Sequence, residues 1–449
     1  MYHKHIGEIN MGTIYDGLEE IGPHFELSET HKMVRQSVRE FAEKEIAPYV
    51  KEWDQAHEFH KPILKKMAEQ GILGISLPVK YGGGGLDYIS LAIACEELER
   101  IDTSMRVILS VHNGLCSSTI FQWGNKEQKE KYLPKLATGE VIGTFGLTEP
   151  AAGSDPAGIK SRCRKEGDEW VINGEKMWIS YTNSSDVFLI FAYEEDVKHK
   201  GMRAFIVERA FGGVTTGNIE HKMGVRAGET GWIHLDEVRV PSENLLGEPE
   251  EGFKIAMSSL DWGRYTVGAG AVGGAKASLE AAVAYANERE TFGKKIGQHQ
   301  FIQGMIADMV ADIEAAELLV WKAGWVKNQG KINTRETSLS KWYATNAAVR
   351  CADRAIQIHG AYGFCDDYPV ARYYRNVRGA TIYEGSNEIQ KIIQARYALG
   401  YFKDKPLRCM PPKYDPEEWM NPDTDKYLSL IHISEPTRPL YISYAVFCL

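Results

Sequence analysis

A glutamate beside a glycine marks the first of two candidate functional segments. The segment Thr381–Ile389 reads TIYEGSNEI and places Glu384 before Gly385 and ahead of a helix predicted to start near Asn387. The glycine gives the backbone freedom, and apolar neighbours can raise the pKa of a carboxyl group into the range of a general base. The alternative is that Glu384 is an ordinary acidic residue that favours the helix dipole.

The second candidate is a turn rich in small and hydroxyl-bearing residues. The segment Phe145–Asp155 reads FGLTEPAAGSD. Hydroxyl groups and free backbone N–H groups at such a turn can form a nest for a phosphate or for the edge of a ring. An ordinary capped turn is the alternative.

Three further motifs predict no function. Gly268–Gly273 matches the dinucleotide-binding pattern GxGxxG, but that pattern needs a preceding strand and both flanks here are helical. We predict a buried helix with small residues for close packing. Ser338 and Lys341 match SxxK, which we interpret as a chance match on a helical surface because no KTG follows. His57 and His60 miss the HExxH spacing by one residue, so we predict a solvated loop.

The hydrophobic periodicity predicts helical, β and helical parts in that order. Ser28 is a plausible N-cap for the first helix, and Leu91–Arg106 resumes a helix. Asn173-Gly174 predicts a hairpin turn in the β part, and Gly330 predicts a helix end in the last part. The predicted fold class is α+β, with an N-terminal α-helical domain (25–140), a middle β-barrel-like domain (141–248) and a C-terminal four-helix bundle (249–402).

Both ends of the chain extend beyond these domains. Residues 1–24 form an N-terminal extension, and its first residues lack the apolar core of a signal peptide. Residues 403–427 are polar, which predicts an arm over the surface or over a partner subunit. Residues 428–449 resemble the translation of a sequencing adapter. We interpret them as a non-native tail, the alternative being a natural β-prone extension.

The composition excludes several classes of protein. The chain has 449 residues, of which 43% are hydrophobic and 25% charged, as in soluble globular proteins. Its net charge of −9 argues against a nucleic-acid partner. No apolar run reaches the roughly 18 residues of a membrane span, so we expect no membrane partner. Seven scattered cysteines without CxxC indicate reduced thiols and predict a cytoplasmic protein.

Five motifs in order resemble the acyl-CoA dehydrogenase family over about residues 25–400. They are LTEPAAGSD (147–155), INGEKMWIS (172–180), ERETFGK (288–294), QIHGAYGF (357–364) and YEGSNEIQ (383–390). The resemblance implies the helical, β, helical fold of that family, an FAD cofactor and an acyl-CoA substrate. It also implies a homo-oligomer, usually a tetramer, and electron-transferring flavoprotein as the electron acceptor.

The same resemblance implies that Glu384 is the base that removes the α-proton of the acyl thioester, after which hydride leaves the β-carbon for flavin N5. The FAD ribityl 2′-hydroxyl and the backbone N–H of Glu384 would hydrogen-bond the thioester carbonyl. Some members carry the base one residue before the arginine that Arg264 matches. That position is Gly263 here, and since glycine cannot act, Glu384 is the sole candidate.

The resemblance also assigns contacts to FAD and to the substrate. FAD contacts within one chain are implied for Phe145, Leu147, Thr148, Ser154, Trp178, Ser180, Ser386 and Glu388. Contacts with the FAD of a neighbouring subunit are implied for Arg289, Thr291, Phe292, Gln300, Gln357, Gly360 and Ala361. Substrate contacts are implied for Glu99, Arg106, Ser110, Ser154, Asp261, Arg264, Tyr383 and Gly385. Ser180 and Ser386 stand where the family often has threonine.

The substrate prediction depends on Arg106. The segment Val107–Gly114 resembles short-chain members such as butyryl-CoA dehydrogenases. Arg106, however, matches the position at which glutaryl-CoA dehydrogenases bind a distal carboxylate, and Glu99 lies seven residues earlier on the same predicted helix face. We predict a short dicarboxylic acyl-CoA, glutaryl-CoA first. The alternatives are a butyryl-type monocarboxylic substrate, a substituted succinyl-CoA, and an Arg106 that faces solvent or pairs structurally with Glu99.

Two other activities compete with a dehydrogenase. An acyl-CoA oxidase would return electrons to oxygen, but that family is generally much longer. A CoA-binding scaffold would keep the fold without the chemistry, and the intact Glu384 and FAD motifs argue against it.

Overall fold

A computed structural model describes residues 26–197 and 201–422. The predictions for the N-terminal extension and for the adapter-like tail lie outside these residues. The N-terminal domain is helical, as predicted. Its helices are α1 (Glu29–Glu45), α2 (Val50–Ala56), α3 (Ile63–Glu69), α4 (Tyr88–Ile101), α5 (Thr103–Leu109), a π-helical stretch (Ser110–Ser117), α6 (Ser118–Trp123) and α7 (Lys126–Ala137).

The first helix begins where the sequence predicts. The hydroxyl of Ser28 accepts a hydrogen bond from the backbone N–H of His31 at 3.2 Å, which satisfies one of the free donors at the start of α1. Val34, Val38 and Phe41 form its buried face, since they recur at helical spacing.

The single helix predicted over residues 91–106 is wrong. Asp102 is extended (φ −160°, ψ 136°) and separates α4 from α5. Its carboxylate accepts from the backbone N–H of Ser104 at 2.8 Å, so it caps α5. It also accepts from Arg372 at 2.5 Å and Asn376 at 2.8 Å. These buried partners in the C-terminal domain outweigh the helical pattern of the local sequence.

The middle domain is one curled sheet. Its strands are β1 (Gly143–Gly146), β2 (Arg162–Glu166), β3 (Glu169–Ser180), β4 (Val187–Glu194), β5 (Met202–Glu208), β6 (Val214–Asn218) and β7 (Thr230–Pro241). The order is β1-β4-β2-β3-β7-β6, with β5 paired to β4. Buried side chains such as Ile172, Phe188 and Phe205 form the core of this domain.

The hairpin predicted at Asn173-Gly174 is wrong, because β3 continues through both residues. The pairing of β3 with β7 shifts register there, as a β-bulge. A side chain at Gly174 would come within 2.2 Å of the Ser161 hydroxyl. The amide of Asn173 instead accepts from the backbone N–H of Glu237 at 2.8 Å. The turn between β2 and β3 lies at Gly167, where φ is 61°.

The C-terminal domain is helical, as predicted. Its elements are α8 (Gly252–Glu288), the short strands β8 (Glu290–Thr291) and β9 (Lys294–Lys295), α9 (Gln300–Asn328), α10 (Thr334–His359), α11 (Val370–Ala380) and α12 (Asn387–Ala398). Gly330 has φ 68° just after α9, which fits the predicted helix end. No helix in the described ranges combines the length and the apolar character that a membrane crossing needs.

The glycines of α8 serve close packing, as predicted for the GxGxxG match. A Cβ atom at Gly268 would lie 3.3 Å from the backbone of Lys341 on α10. At Gly270 it would come within 2.1 Å of the Glu99 carboxylate. Because α8 and α10 approach so closely, Ser338 and Lys341 are both buried. The interpretation of this segment as a helical surface is therefore wrong.

The described part of the C-terminal arm packs on its own chain. The guanidinium of Arg408 pairs with Glu251 at 2.6 Å, and the Tyr88 hydroxyl donates to the carbonyl of Pro412 at 2.9 Å. The described part of the arm includes α13 (Pro416–Trp419). Trp419 is only 1% exposed and lies edge-on to the Tyr88 ring, so the arm contributes to the core.

We expect Trp419→Ala to lower the free energy of unfolding by about 3 kcal/mol or more, because it leaves a cavity in the aromatic cluster. Chemical denaturation measures this loss. The exposed Glu418 is the matched control, and Glu418→Ala should change stability by less than about 0.5 kcal/mol. Equal effects of the two substitutions would contradict the packing of the arm.

Candidate active site

Glu384 lies in the loop that joins α11 to α12, with its backbone in the left-handed region. Its φ is 54°, and that of Gly385 is 85°. This conformation is unfavourable for a residue with a side chain, such as Glu384, although glycine adopts it freely. Surrounding contacts must therefore hold the turn. One of these contacts is the hydrogen bond from the backbone N–H of Asn387 to the carbonyl of Thr381, at 3.0 Å. Ser386 is the N-cap of α12, and Glu388 is exposed in its first turn.

The strained turn places the Glu384 carboxylate against a glycine of α8. A Cβ atom at Gly263 would lie only 1.7 Å from Oε2 of Glu384. That oxygen is buried and has no hydrogen-bond partner among the described residues. A carboxylate oxygen that is dry and unpaired is available to take a proton from a bound molecule.

The surroundings of Glu384 also suit a base. Burial raises the pKa of Glu384 to about 6. Three cations, Arg106, Lys341 and Arg264, oppose the effect of burial. The balance leaves the carboxylate ionised at neutral pH and a stronger base than an exposed glutamate.

Arg106 is fully buried and hydrogen-bonded on three sides. Its Nε donates to Glu99 at 2.5 Å, its Nη1 to the Ser110 hydroxyl at 3.1 Å, and its Nη2 to the Tyr383 hydroxyl at 2.7 Å. The Ser110 hydroxyl donates in turn to Thr266 on α8 at 2.7 Å. Thus the structure brings together Glu99 and Arg106, although they belong to different helices, and joins them to the residue before Glu384. It excludes the alternative in which Arg106 faces solvent.

Asp261 and Arg264 lie on the other side of the Glu384 loop. Nη1 of Arg264 donates to Asp261 at 3.0 Å, and the Thr334 hydroxyl donates to the same carboxylate at 2.5 Å. Burial raises the pKa of Asp261. Nε of Arg264 is buried without a partner in the described part of the chain, and it lies 3.7 Å from where a side chain at Gly385 would begin. Arg264 therefore has a donor to spare beside the base.

Trp178 and Ser180 form a wall on the middle domain. Trp178 has φ 63° and sits at a second bulge of β3, which turns its indole outward so that it is 61% exposed. Ser180 pairs with Thr230 of β7. A cleft of about 560 Å³ is lined by Thr230 and contains none of the predicted site residues. The cleft therefore lies next to Ser180, an FAD contact implied by the family resemblance, and does not include it.

The turn after β1 is held by a buried ion pair that the sequence analysis missed. The ammonium of Lys176 donates to Glu149 at 2.7 Å and to the carbonyl of Leu147 at 3.4 Å. Burial lowers the pKa of Lys176 to about 8. Within this turn Phe145 and Leu147 are buried, Thr148 is half-buried and Ser154 is exposed. The signal in the sequence was a lysine at an inward position of β3.

The residues assigned to a neighbouring FAD lie at the far end of the bundle. His359 stacks on Tyr285 with ring centroids 4.3 Å apart, which brings the end of α8 to the end of α10. Lys341 and Gln357 are sixteen residues apart on α10, or about 24 Å. The structure thus keeps this group away from Glu384. Its exposed members are Arg289, Phe292, Gln300, Gln357, Gly360 and Ala361, and Thr291 is half-buried.

We expect Gly263→Ala to destabilise the wild-type protein but to cost about 1 kcal/mol less in a Glu384→Ala background, because the new methyl group overlaps the carboxylate. The double-mutant cycle is measured by chemical denaturation. Gly304→Ala is the control, because its Cβ atom would meet nothing within 4 Å. Strict additivity of Gly263→Ala and Glu384→Ala would show that the two residues are not in contact.

Three family models match successive parts of the chain: the acyl-CoA dehydrogenase N-terminal domain at residues 28–140, the middle domain at 144–238 and the C-terminal domain at 250–399. The mitochondrial short-chain specific acyl-CoA dehydrogenase of Mus musculus is 41% identical over 379 residues, which is 84% of this chain and 92% of that protein.

Similarity is equally high to an enzyme with another substrate. The glutaryl-CoA dehydrogenase of Desulfococcus multivorans is 41% identical over 385 residues, covering 84% of this chain and 99% of that protein. A solved structure of glutaryl-CoA dehydrogenase with glutaryl-CoA superimposes with a TM-score of 0.82 at 40% identity, covering 87% of this chain and 98% of that one. This chain belongs to the acyl-CoA dehydrogenase family, oxidoreductases that act on CH–CH bonds.

Proposed function

We propose that this protein oxidises a short acyl-CoA that carries a distal carboxylate, glutaryl-CoA first, with Glu384 as the catalytic base. The observation that carries the proposal is that a buried, unpartnered oxygen of Glu384, Oε2, and the buried guanidinium of Arg106 lie in the same site. Both side chains lie against α8, at Gly263 and Gly270.

The residues of the site fit the flavin that the family uses. The family binds FAD, which supplies the acceptor for the hydride from the β-carbon. The exposed indole face of Trp178 offers a flat apolar surface, and Ser180 and Thr148 offer hydroxyl groups beside it. A large aromatic side chain turned outward by a bulge is costly in water and is suited to stack on a ring.

The proton step belongs to Glu384. An α-C–H of a thioester is a weak acid, so its removal needs an ionised base without water and a polarised carbonyl. Oε2 is buried and has no hydrogen-bond partner among the described residues that would compete with the substrate. The backbone N–H of Glu384 donates to no acceptor within residues 26–197 and 201–422. It is therefore free to bind the thioester oxygen and to stabilise its developing negative charge.

The spacing along α8 fits a glutaryl group. Gly263 and Gly270 are seven residues apart and so share one helix face, about 10.5 Å from each other. A base lies about 3 Å from the carbon it deprotonates. Three C–C bonds lead from that carbon to the distal carboxyl carbon, about 4 Å, and a charge-assisted hydrogen bond adds about 3 Å. Together with the carboxyl C–O bond, these distances add up to about 10–11 Å, which matches the separation of about 10.5 Å between Gly263 and Gly270.

The guanidinium has capacity for a carboxylate. Among the described residues, three of the five N–H groups of Arg106 have acceptors, which leaves one on each terminal nitrogen. The Glu99 carboxylate keeps the pair neutral and holds the guanidinium in place. A distal carboxylate would accept the remaining N–H groups in the bidentate geometry that arginine favours.

The second candidate is a butyryl-type monocarboxylic substrate. The Glu99–Arg106 ion pair at 2.5 Å supports it, because the pair is complete without a ligand. A butyryl chain would then end against polar groups and bury them without a partner, which is unfavourable. The identity of 41% to both kinds of relative favours neither.

We further propose a homotetramer that passes electrons to electron-transferring flavoprotein, as the family resemblance implies. Phe292, Phe301 and Phe364 are each at least 89% exposed. Phe292 and Phe364 lie at the far end of the bundle, among the residues assigned to the FAD of a neighbouring subunit. Large apolar side chains in water usually mark a contact surface, so a second copy and its cofactor would cover them.

We expect Arg106→Gln to lower kcat/KM for glutaryl-CoA at least about 30-fold and for butyryl-CoA far less, because the distal carboxylate loses a charged partner. Anaerobic bleaching of the flavin with a panel of acyl-CoA esters measures this, and product masses show whether CO₂ is lost. Glu99→Gln/Arg106→Gln is the control, since it leaves no unpaired buried charge. A change within about twofold for glutaryl-CoA in both variants would contradict the carboxylate site.

The pH dependence of kcat/KM should report the base. Because Glu384 must be ionised and burial raises its pKa to about 6, kcat/KM should fall about tenfold per unit below pH 6. Above that pH Glu384 is ionised, so its titration should cause no further rise in kcat/KM. An acid limb centred near 4.5, the ordinary value for glutamate, would contradict the dry environment of the carboxylate.

A further inference from the structure

Lys341 is a buried lysine that points at the loop of the proposed base. It is fully buried on α10, and its ammonium donates to the carbonyl of Gly385 at 2.8 Å and to the amide oxygen of Asn387 at 3.0 Å. Both acceptors lie within three residues of Glu384. An ammonium without water is costly unless its donors are used, so these contacts fix where the lysine sits.

The contacts of Lys341 close a network around the strained turn. The carbonyl of Gly385 also accepts from the side-chain amide of Gln390 at 2.9 Å. Asn387 is held in turn by the Thr345 hydroxyl, to which its amide nitrogen donates at 3.0 Å. Because Glu384 has a positive φ, which is unfavourable for a residue with a side chain, the turn needs such external support to stay in place.

The charge of Lys341 also acts on the base. The pKa of Lys341 is lowered to about 7 by burial, against the opposing charge of Glu384. At pH 6, where Glu384 titrates, the ammonium is therefore mostly protonated. The other groups that face Glu384 are the cations Arg106 and Arg264, with Tyr383 and Cys95 nearby. Glu388 is the further acid that faces Lys341.

We propose that Lys341 is a positioning residue for the base: its ammonium tethers the Glu384 turn through the Gly385 carbonyl and keeps the carboxylate ionised. The inference rests on the proposed role of Glu384. It gives a function to the SxxK segment, and it predicts that the tether and the charge can be separated. A purely structural lysine would affect stability alone.

The test compares three replacements of Lys341 in the FAD-loaded enzyme. Lys341→Met removes the tether and the charge. It should lower kcat at least tenfold with KM within about threefold, and move the acid limb of kcat/KM upward by at least half a pH unit. Lys341→Gln keeps a donor and loses the charge, so the limb should move as much with a smaller loss of kcat. Lys341→Arg keeps the charge, so the limb should stay in place.

The matched control is Lys276, a half-buried lysine on α8 that pairs with Glu96 and Glu317 at 2.7 Å each. Lys276→Met should lower stability and leave the acid limb where it is. If Lys341→Met folds with FAD bound and keeps both kcat within twofold and the wild-type limb, the proposal is overturned. If Lys341→Met does not fold, the test depends on Lys341→Gln and Gln390→Leu. Gln390→Leu should lower kcat without moving the acid limb. An unmoved acid limb in Lys341→Gln would overturn the proposal.

A readout without turnover separates this inference from the proposed function. A carboxyl whose pKa is raised by folding stabilises the protein at low pH, and that contribution is lost as pH rises through the folded pKa. The difference in unfolding midpoint between the wild type and Glu384→Gln should therefore vary with pH up to about pH 6 and be constant at higher pH. In the Lys341→Met background, this difference should continue to vary with pH to at least half a pH unit higher. Inactive wild-type enzyme with this shift would refute only the proposed function, whereas equal midpoint curves in an active enzyme would refute only the role of Lys341.

Discussion

The site depends on keeping the Glu384 carboxylate ionised although its Oε2 is buried and accepts no hydrogen bond from the described residues. Burying an unpaired charge is among the costliest things a fold can do. Here the cost is offset at a distance, because three cations on three different helices face the Glu384 carboxylate without capping it. The oxygen that would take a proton is therefore left open. This arrangement raises the basicity of the group and also makes it sensitive to each surrounding charge.

One long helix relates the base to the proposed specificity residues. Along α8, Gly263 leaves room for the carboxylate of Glu384 and Gly270 leaves room for the Glu99–Arg106 pair. Since both glycines share a face, the distance between the two polar centres is set by helix geometry rather than by loops. A rigid element that spaces the reactive groups is what a substrate with charge at one end and a thioester at the other requires.

Much of this arrangement could be predicted from the sequence, because local patterns fix it. The helical, β, helical order, the start of α1 after Ser28 and the helix that follows Glu384 all depend on neighbouring residues. The failures share another cause. Asp102 breaks a helix, Asn173-Gly174 lies in a bulge, and Lys341 is buried. Each of them has a hydrogen-bond partner more than forty residues away in the sequence, namely Arg372, Glu237 and Gly385 in that order. Tertiary contacts of that kind leave no periodic signal in the chain.

The proposed role of Glu384 is tested most directly by anaerobic mixing of the FAD-loaded Glu384→Gln enzyme with glutaryl-CoA in a stopped-flow spectrometer. Glutamine keeps the size of the side chain and cannot accept a proton from carbon. If Glu384 is the base, this variant binds the thioester with near wild-type affinity while flavin bleaching slows at least about a thousandfold, the scale of a lost acid–base group. Bleaching within tenfold of the wild-type rate would show that the proton goes elsewhere and that Glu384 is not the base.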